Sequence, residues 1–333
     1  MSKENNNEVV VIGIDVSKKK LNLSKLTKGK FSDSEIGNDH VSINKYLSKK
    51  DFIANKDNYF FIMEATGVYH LLFANELHNK GFKVSVQNPL RIKRFSDMKM
   101  IRAKTDFVDA RTIALYGTEQ SPEPYKPRPE KHQFIIKLLK AIDDYNTAIT
   151  SLKNQLEALE TDPVQLKLVI REFKNMIKRF QKSILIFEKE IDDILAEIYP
   201  TEVKRLNKIK GVGNRTTAVI LGFFGKFENF DNPKQVVSFI GTNPSVERSG
   251  TSVKGKGSID KKGSPYIRKI LYMSSLAAAQ FNPSCKALYD RLTLKGKEHK
   301  QKRIAVLNKL VRQIFAILKF DREWEENYIP KIR

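Results

Sequence analysis

Cysteine is nearly absent, with one residue, Cys285, in a chain of 333. That excludes an intramolecular disulfide framework and any cysteine-rich zinc site. No run approaches the ~18 apolar residues of a membrane span, and the polar residues 1–8 lack the apolar core of a signal peptide. A cytoplasmic chain with no membrane partner is expected. No GxxxxGK[ST] pattern occurs, which argues against ATP-driven chemistry, and no zinc finger or similar DNA-reading motif is evident. Acidic residues are also in deficit: 38 Asp+Glu stand against 60 Lys+Arg, a formal charge of +22. The excess favours a polyanionic partner and salt-dependent attraction to nucleic acid, and it is concentrated in residues 91–104, 254–262 and 295–303.

The length allows two or three domains, and a 41% hydrophobic content is enough for packed cores. The apolar run Val9-Val10-Val11-Ile12-Gly13-Ile14 reads as a buried strand that ends on Asp15. Leu21 and Leu23 alternate with polar residues and suggest the next strand of a meander. Tyr59-Phe60-Phe61-Ile62-Met63 repeats the first arrangement and ends on Glu64, followed by the tight turn Ala65-Thr66-Gly67 and a helical pattern through Leu71, Leu72 and Leu77. A further strand over residues 82–86 ends at Asn88-Pro89. Thr105 is suited to cap a helix whose first turn holds Asp106 and Asp109, three apart and so on one face.

Taken singly, each acid has an ordinary reading, since the helix dipole favours carboxylates in a first turn and loops after strands are polar. The ordered set of Asp15, Glu64, Asp106 and Asp109 is what a ribonuclease-H-like fold would aim at magnesium. Magnesium takes hard oxygen ligands, and paired ions activate an attacking oxygen while stabilising the leaving one.

The middle of the chain carries heptads. Leu138, Ile142, Tyr145, Ile149, Leu152, Leu156 and Leu159 recur at alternating spacings of four and three. After Asp162-Pro163 the pattern resumes from Phe173 through Ile177, Phe180, Ile184, Phe187, Ile191, Ile194 and Ile198. Two helices with narrow apolar seams are predicted, paired with each other as a hairpin or with another protomer. Beyond Pro200, residues 206–221 read as helix, glycine hairpin, helix. Gly211 and Gly213 can there take positive φ and present backbone amides to a DNA phosphate, although a plain C-cap explains Gly213 equally well. Residues 233–240 form a helix in this reading. Residues 241–258 are small, basic and hydroxyl-rich, a loop suited to contacting phosphates. A nucleophilic serine in that loop would need its alkoxide stabilised by metal or cations, because neither a histidine nor an aspartate partner is apparent. Chemistry alone does not choose among Ser245, Ser249, Ser252 and Ser258. Residues 267–279 make an apolar helix, and residues 286–319 alternate Leu and Ile with Lys and Arg.

The segments 12–18, 64–69, 104–111, 211–213 and 247–255, in that order, resemble the transposases of the insertion-sequence 110 family over most of the chain. The resemblance implies an α/β RuvC-like (ribonuclease-H-like) domain over residues 8–125, coiled-coil helices over 130–200, and a mostly α serine transposase domain with a helix-hairpin-helix-like element over 203–325. It implies that Asp15, Glu64, Asp106 and Asp109 hold Mg2+ and that Ser249 attacks DNA phosphate to form a covalent phosphoserine. The site is expected to be composite between protomers of a homo-oligomer, dimer or tetramer, near the nucleoid of a bacterial cytoplasm. Partners would be element DNA, target DNA and a structured guide RNA, with sequence choice left to base pairing. Nucleic-acid contacts are expected from Lys104, Arg111, Gly211, Gly213, Arg248, Lys254 and Lys256. Two other readings compete: a metal-dependent, structure-specific nuclease, and a non-catalytic protein that bridges nucleic acids.

Overall fold

The computed structural model describes residues 9–101, 105–164, 166–245, 248–249, 253–254, 258–259 and 263–326, with the backbone alone for those within 244–258. It divides into two compact units, Met1–Arg128 and Pro129–Arg333.

The first unit is built on a five-stranded mixed sheet of order β3-β2-β1-β4-β5. The strands β1 (Val10–Val16), β2 (Lys20–Thr27) and β3 (Lys30–Gly37) form an antiparallel meander. Lys28 and Gly29 both take positive φ, 48° and 75°, in the two-residue turn whose twist matches flanking strands. Helices α1 (His40–Leu47) and α2 (Lys50–Ala54) lead to β4 (Tyr59–Glu64), and α3 (His70–Asn79) leads to β5 (Lys83–Gln87). β4 lies parallel to β1, and β5 parallel to β4. Then come α4 (Pro89–Met98), capped by the Asn88 side chain, and α5 (Asp106–Gln120), capped by Thr105 Oγ1 accepting from Val108 N.

Both faces of this sheet are covered. Ile12, Ile14, Leu21, Phe61 and Met63 pack with Ile43, Phe73 and Leu77 on one side. Val11, Phe60 and Ile62 meet Ile92 and Phe95 of α4 and Ile113, Ala114 and Tyr116 of α5 on the other. The strand interiors are apolar on both faces for that reason.

The second unit is mostly helical. α6 (Glu130–Thr161) and α7 (Lys167–Ile198) form an antiparallel hairpin broken at Asp162-Pro163. The Tyr145 ring lies 4.9 Å from Phe180 and 5.6 Å from Phe187, and Lys174 pairs with Glu160 at 2.7 Å, so the two apolar seams face each other within one chain. Ile135, Leu139 and Ile142 of α6, with Ile191 and Leu195 of α7, enter the core of this unit. Around them pack α8 (Pro200–Asn207), α9 (Asn214–Phe224), α10 (Pro233–Ile240), α11 (Pro265–Phe281), α12 (Pro283–Leu294) and α13 (His299–Lys319). α10, α11 and α12 start alike: Asn232, Ser264 and Asn282 each cap through the side chain, with proline at the start of the helix.

Residues 286–319 fall in two helices, because Gly296, at φ +64°, terminates α12. One expectation is revised here. The 241–258 stretch is not simply a loop. It contains short antiparallel pairs, β6 (Pro244–Ser245) with β9 (Ser258–Ile259) and β7 (Arg248–Ser249) with β8 (Val253–Lys254).

Candidate active site

The carboxylates of the first unit are positioned by strand register and one close helix contact. Ile14 of β1 is level with Met63 of β4, so the next residues, Asp15 one short of the end of β1 and Glu64 at the end of β4, lie side by side. Alternation along the strands puts them on the same face as Val11 and Ile62, the face that α5 covers. α5 reaches the sheet because small residues meet there. A Cβ at Gly13 would lie 2.8 Å from Ala114 Cα, and one at Gly117 would lie 2.5 Å from Ile62 Cγ1. Asp106, Ala110, Ala114 and Gly117 share a helix face, which carries Asp106 toward the strands. Asn22, level with Asp15 on β2 and only 2% exposed, donates from Nδ2 to Asp106 Oδ2 at 3.4 Å.

The acids feel one another. Asp15 is raised to about 6, first by burial and then by the charges of Asp106 and Asp109. Glu64 is raised by burial and then by Asp15 and Asp109. All four carboxyls thus occupy one electrostatic neighbourhood. Among the described residues, however, no three acidic, His or Cys side chains converge tightly enough to ligate one ion directly. A dispersed set of hard oxygen donors suits magnesium, which keeps several waters and is bound through one or two carboxylates. The donor chemistry therefore fits a divalent cation, whose charge would relieve the mutual repulsion.

Asn38, which sequence reasoning missed, ties the segments following two of the acids. Its Nδ2 donates to Ser17 O at 2.9 Å and to Tyr69 O at 3.1 Å, just after Asp15 and Glu64 respectively. Asn22 was missed as well, because a polar residue alternating with leucines reads as solvent-facing when the covering helix is not known. Arg111 forms an ion pair with Asp33, donating from Nε at 3.1 Å, and Asp33 also accepts from Ser24 Oγ at 2.8 Å. Arg111 thus joins α5 to β3.

In the second unit, Ser249 lies on β7 opposite Val253, and Arg248 lies opposite Lys254. The ribbon stands on a fixed base. Arg268 Nη1 donates to Ile240 O at 2.9 Å and to Gly263 O at 2.7 Å, bridging the residues that lead into and out of it. Thr242, fully buried, donates to Asn308 Oδ1 at 2.7 Å. Gly211 takes φ +95°, and a Cβ there would lie 2.7 Å from Ala278 of α11, whereas Gly213, at φ −104°, faces open space at the start of α9. Lys104 and Lys256 lie outside the described residues.

Residues 203–290 match the family described as Transposase IS116/IS110/IS902, and residues 12–160 match the transposase family DEDD_Tnp_IS110. The chain is 24% identical over 322 residues to a pilin gene-inverting protein of Moraxella lacunata, covering 95% of this chain and 97% of that one. It is 26% identical over 276 residues to the protein of the same name from Moraxella bovis, covering 82% and 84%. An uncharacterized IS110 protein of Streptomyces coelicolor is 26% identical over 165 residues, half of this chain and 40% of that one. Among solved structures, T. thermophilus RuvC in complex with a Holliday junction substrate aligns with 35% of this chain and all of its own, at 13% identity and a TM-score of 0.27.

Proposed function

Because this chain belongs to the IS110 family of transposases, whose two domains it carries, and so acts in enzymatic DNA recombination, we propose that it excises and inserts its element through serine attack on DNA phosphate. The observation that carries this reading is the placement of Asp15 and Glu64 side by side on the sheet face that α5 covers, with Asp106 and Asp109 in the first turn of that helix and Asp106 accepting from Asn22. In a RuvC-like unit, which the sheet order and the strand-end acids support, these carboxylates would hold Mg2+. The ion, when bound, supplies Lewis-acid stabilisation of charge developing on phosphate oxygens.

Ser249 Oγ forms a bond to phosphorus, and one sugar hydroxyl leaves. The serine proton passes to water and the departing oxygen takes one up. Attack by a new sugar hydroxyl on the phosphoserine reverses these events, so the phosphodiester is rejoined without ATP. Arg248 and Lys254, opposite one another in the register of β7 and β8, supply positive charge to the strand pair that carries Ser249. Gly213, Lys104 and Lys256 hold DNA backbone, and a structured RNA from the element's non-coding end guides target choice by base pairing. The protein works as a homo-oligomer.

The test is covalent trapping: protein, magnesium, junction DNA and the transcript of the flanking non-coding region are denatured together, beside the Ser249→Ala variant. A DNA adduct that survives denaturation and requires Ser249 is the expected result. Cleaved DNA without adduct in both samples would replace this reading with hydrolysis by the four acids alone.

A further inference from the structure

The charges of α7 are segregated along its length. Lys167, Arg171, Lys174, Lys178, Arg179 and Lys182 occupy its first half, against Glu172 alone. The second half is acidic, with Glu188, Glu190, Asp192, Asp193 and Glu197 against Lys189. The order is opposite to what the helix dipole favours, since no acid lies in the first turn and no base in the last. A merely solvated helix would intersperse the signs, with acids toward its start.

The cations are also aligned. Lys167, Arg171, Lys174, Lys178 and Lys182 follow spacings of four, three, four and four, and so form one stripe. The stripe runs along one flank of the apolar seam of Phe173, Ile177, Phe180 and Ile184, beside α6. The first four of them, with Ile170, Asn175 and Glu160 of α6, line an open groove of about 560 Å³. Only Lys174 has an ion pair across the hairpin, with Glu160 at 2.7 Å, among the described contacts of these five. The stripe is ~22 Å long at 1.5 Å per residue, a span over which duplex DNA carries on the order of a dozen phosphates.

We propose that the distal half of the α6–α7 hairpin is a docking arm for the backbone of duplex DNA, so that these helices bind substrate as well as pack together. The partner is DNA because recombination supplies it and because a straight row of cations without alternating aromatic side chains suits a backbone and not exposed bases. The inference rests on DNA being the substrate and not on the identity of the nucleophile.

The test uses the full chain with a fluorescent duplex of arbitrary sequence, and follows binding anisotropy across a salt series. Combined Lys167→Gln, Arg171→Gln, Lys178→Gln and Lys182→Gln substitution should lower the slope of log affinity against log salt by about 3 to 4, at ~0.9 per phosphate contact. Helicity by circular dichroism should be unchanged. Asn175→Lys, which adds a cation to the groove, should steepen the slope by about 1 and tighten binding, a gain that misfolding cannot mimic. Unchanged DNA slopes in both variants overturn the proposal. So does an effect confined to structured RNA, or one confined to self-association in sedimentation, which would assign the stripe to the acidic half of α7 in a second copy. The readout is binding, so it stands apart from the outcome of trapping at Ser249.

Discussion

Gly13 of β1 and Ala114 of α5 touch through their backbones: a Cβ on the glycine would stand 2.8 Å from Ala114 Cα and nearer still to Ala114 N and Ala110 O. Nothing in that contact can yield by a side-chain rotation. The same helix carries Asp106 and Asp109 at its start, so its approach to the sheet sets how near they come to Asp15.

Gly13→Ala should therefore force α5 off the sheet. A loss of ~3 kcal/mol or more is expected by urea denaturation, at the upper end of overpacking penalties, together with loss of strand exchange. Gly29→Ala is the comparison. Gly29 has the opposite character, with positive φ, at 75°, and open space around it, so its cost should be ~1 kcal/mol and exchange should persist. Equal behaviour of the two variants would mean that α5 is not held by this contact.

Asp15 offers a test in pH. Its folded value of about 6 lies above the ordinary 3.8, so the carboxyl ionises less readily in the folded chain. Its contribution to stability is complete below about pH 4 and is lost as pH rises through about 6. Asp15→Asn should remove that loss. At pH 7.5 the variant should unfold at a higher urea concentration than the parent, by on the order of 1 kcal/mol after allowing for solvent screening of a half-buried group. At pH 4 the two should coincide. Magnesium should raise the melting temperature of the parent at pH 7.5 and leave the variant nearly unmoved. A variant equally destabilised at both pH values would show that Asp15 is held by ordinary packing and hydrogen bonding.

The strand-end acids and the capped helix were legible because each rests on local chemistry. Apolar runs, β-branched in β1 and chiefly aromatic in β4, make these strands, and Thr105 accepts from Val108 N as its position before Asp106 suggests. The break at Asp162-Pro163 was legible for the same reason. What local chemistry does not contain is the partner across space. Asn22 and Ser24 look solvent-facing until α5 covers them, and β3, with Ser32, Asp33, Ser34 and Glu35, has no apolar alternation because much of its surface is exposed. The ribbon bearing Ser249 is missed similarly. Its strands are paired by backbone and anchored through Arg268, neither of which leaves a hydrophobic period. The seams of α6 and α7 specify that they pair but not with which copy, a choice expressed only by contacts such as Tyr145 on Phe180.

Gly211 and Gly213 look interchangeable in sequence, yet their surroundings assign them different work. Gly211 has φ +95°, and a Cβ would meet the Ala278 backbone at 2.7 Å, so Gly211→Ala should lose about 2 to 3 kcal/mol in urea denaturation through strain and overpacking combined. Gly213 has φ −104° with open space around it, and Gly213→Ala should cost less than ~1 kcal/mol, mainly by weakening the start of α9. If DNA phosphate approaches the amides there, the same small change should lower duplex affinity several-fold in an anisotropy titration at low salt, because a methyl group would keep the backbones apart. Stable Gly213→Ala protein that binds duplex as tightly as the parent would remove this turn from the DNA-binding surface and leave Gly211 with packing as its whole role.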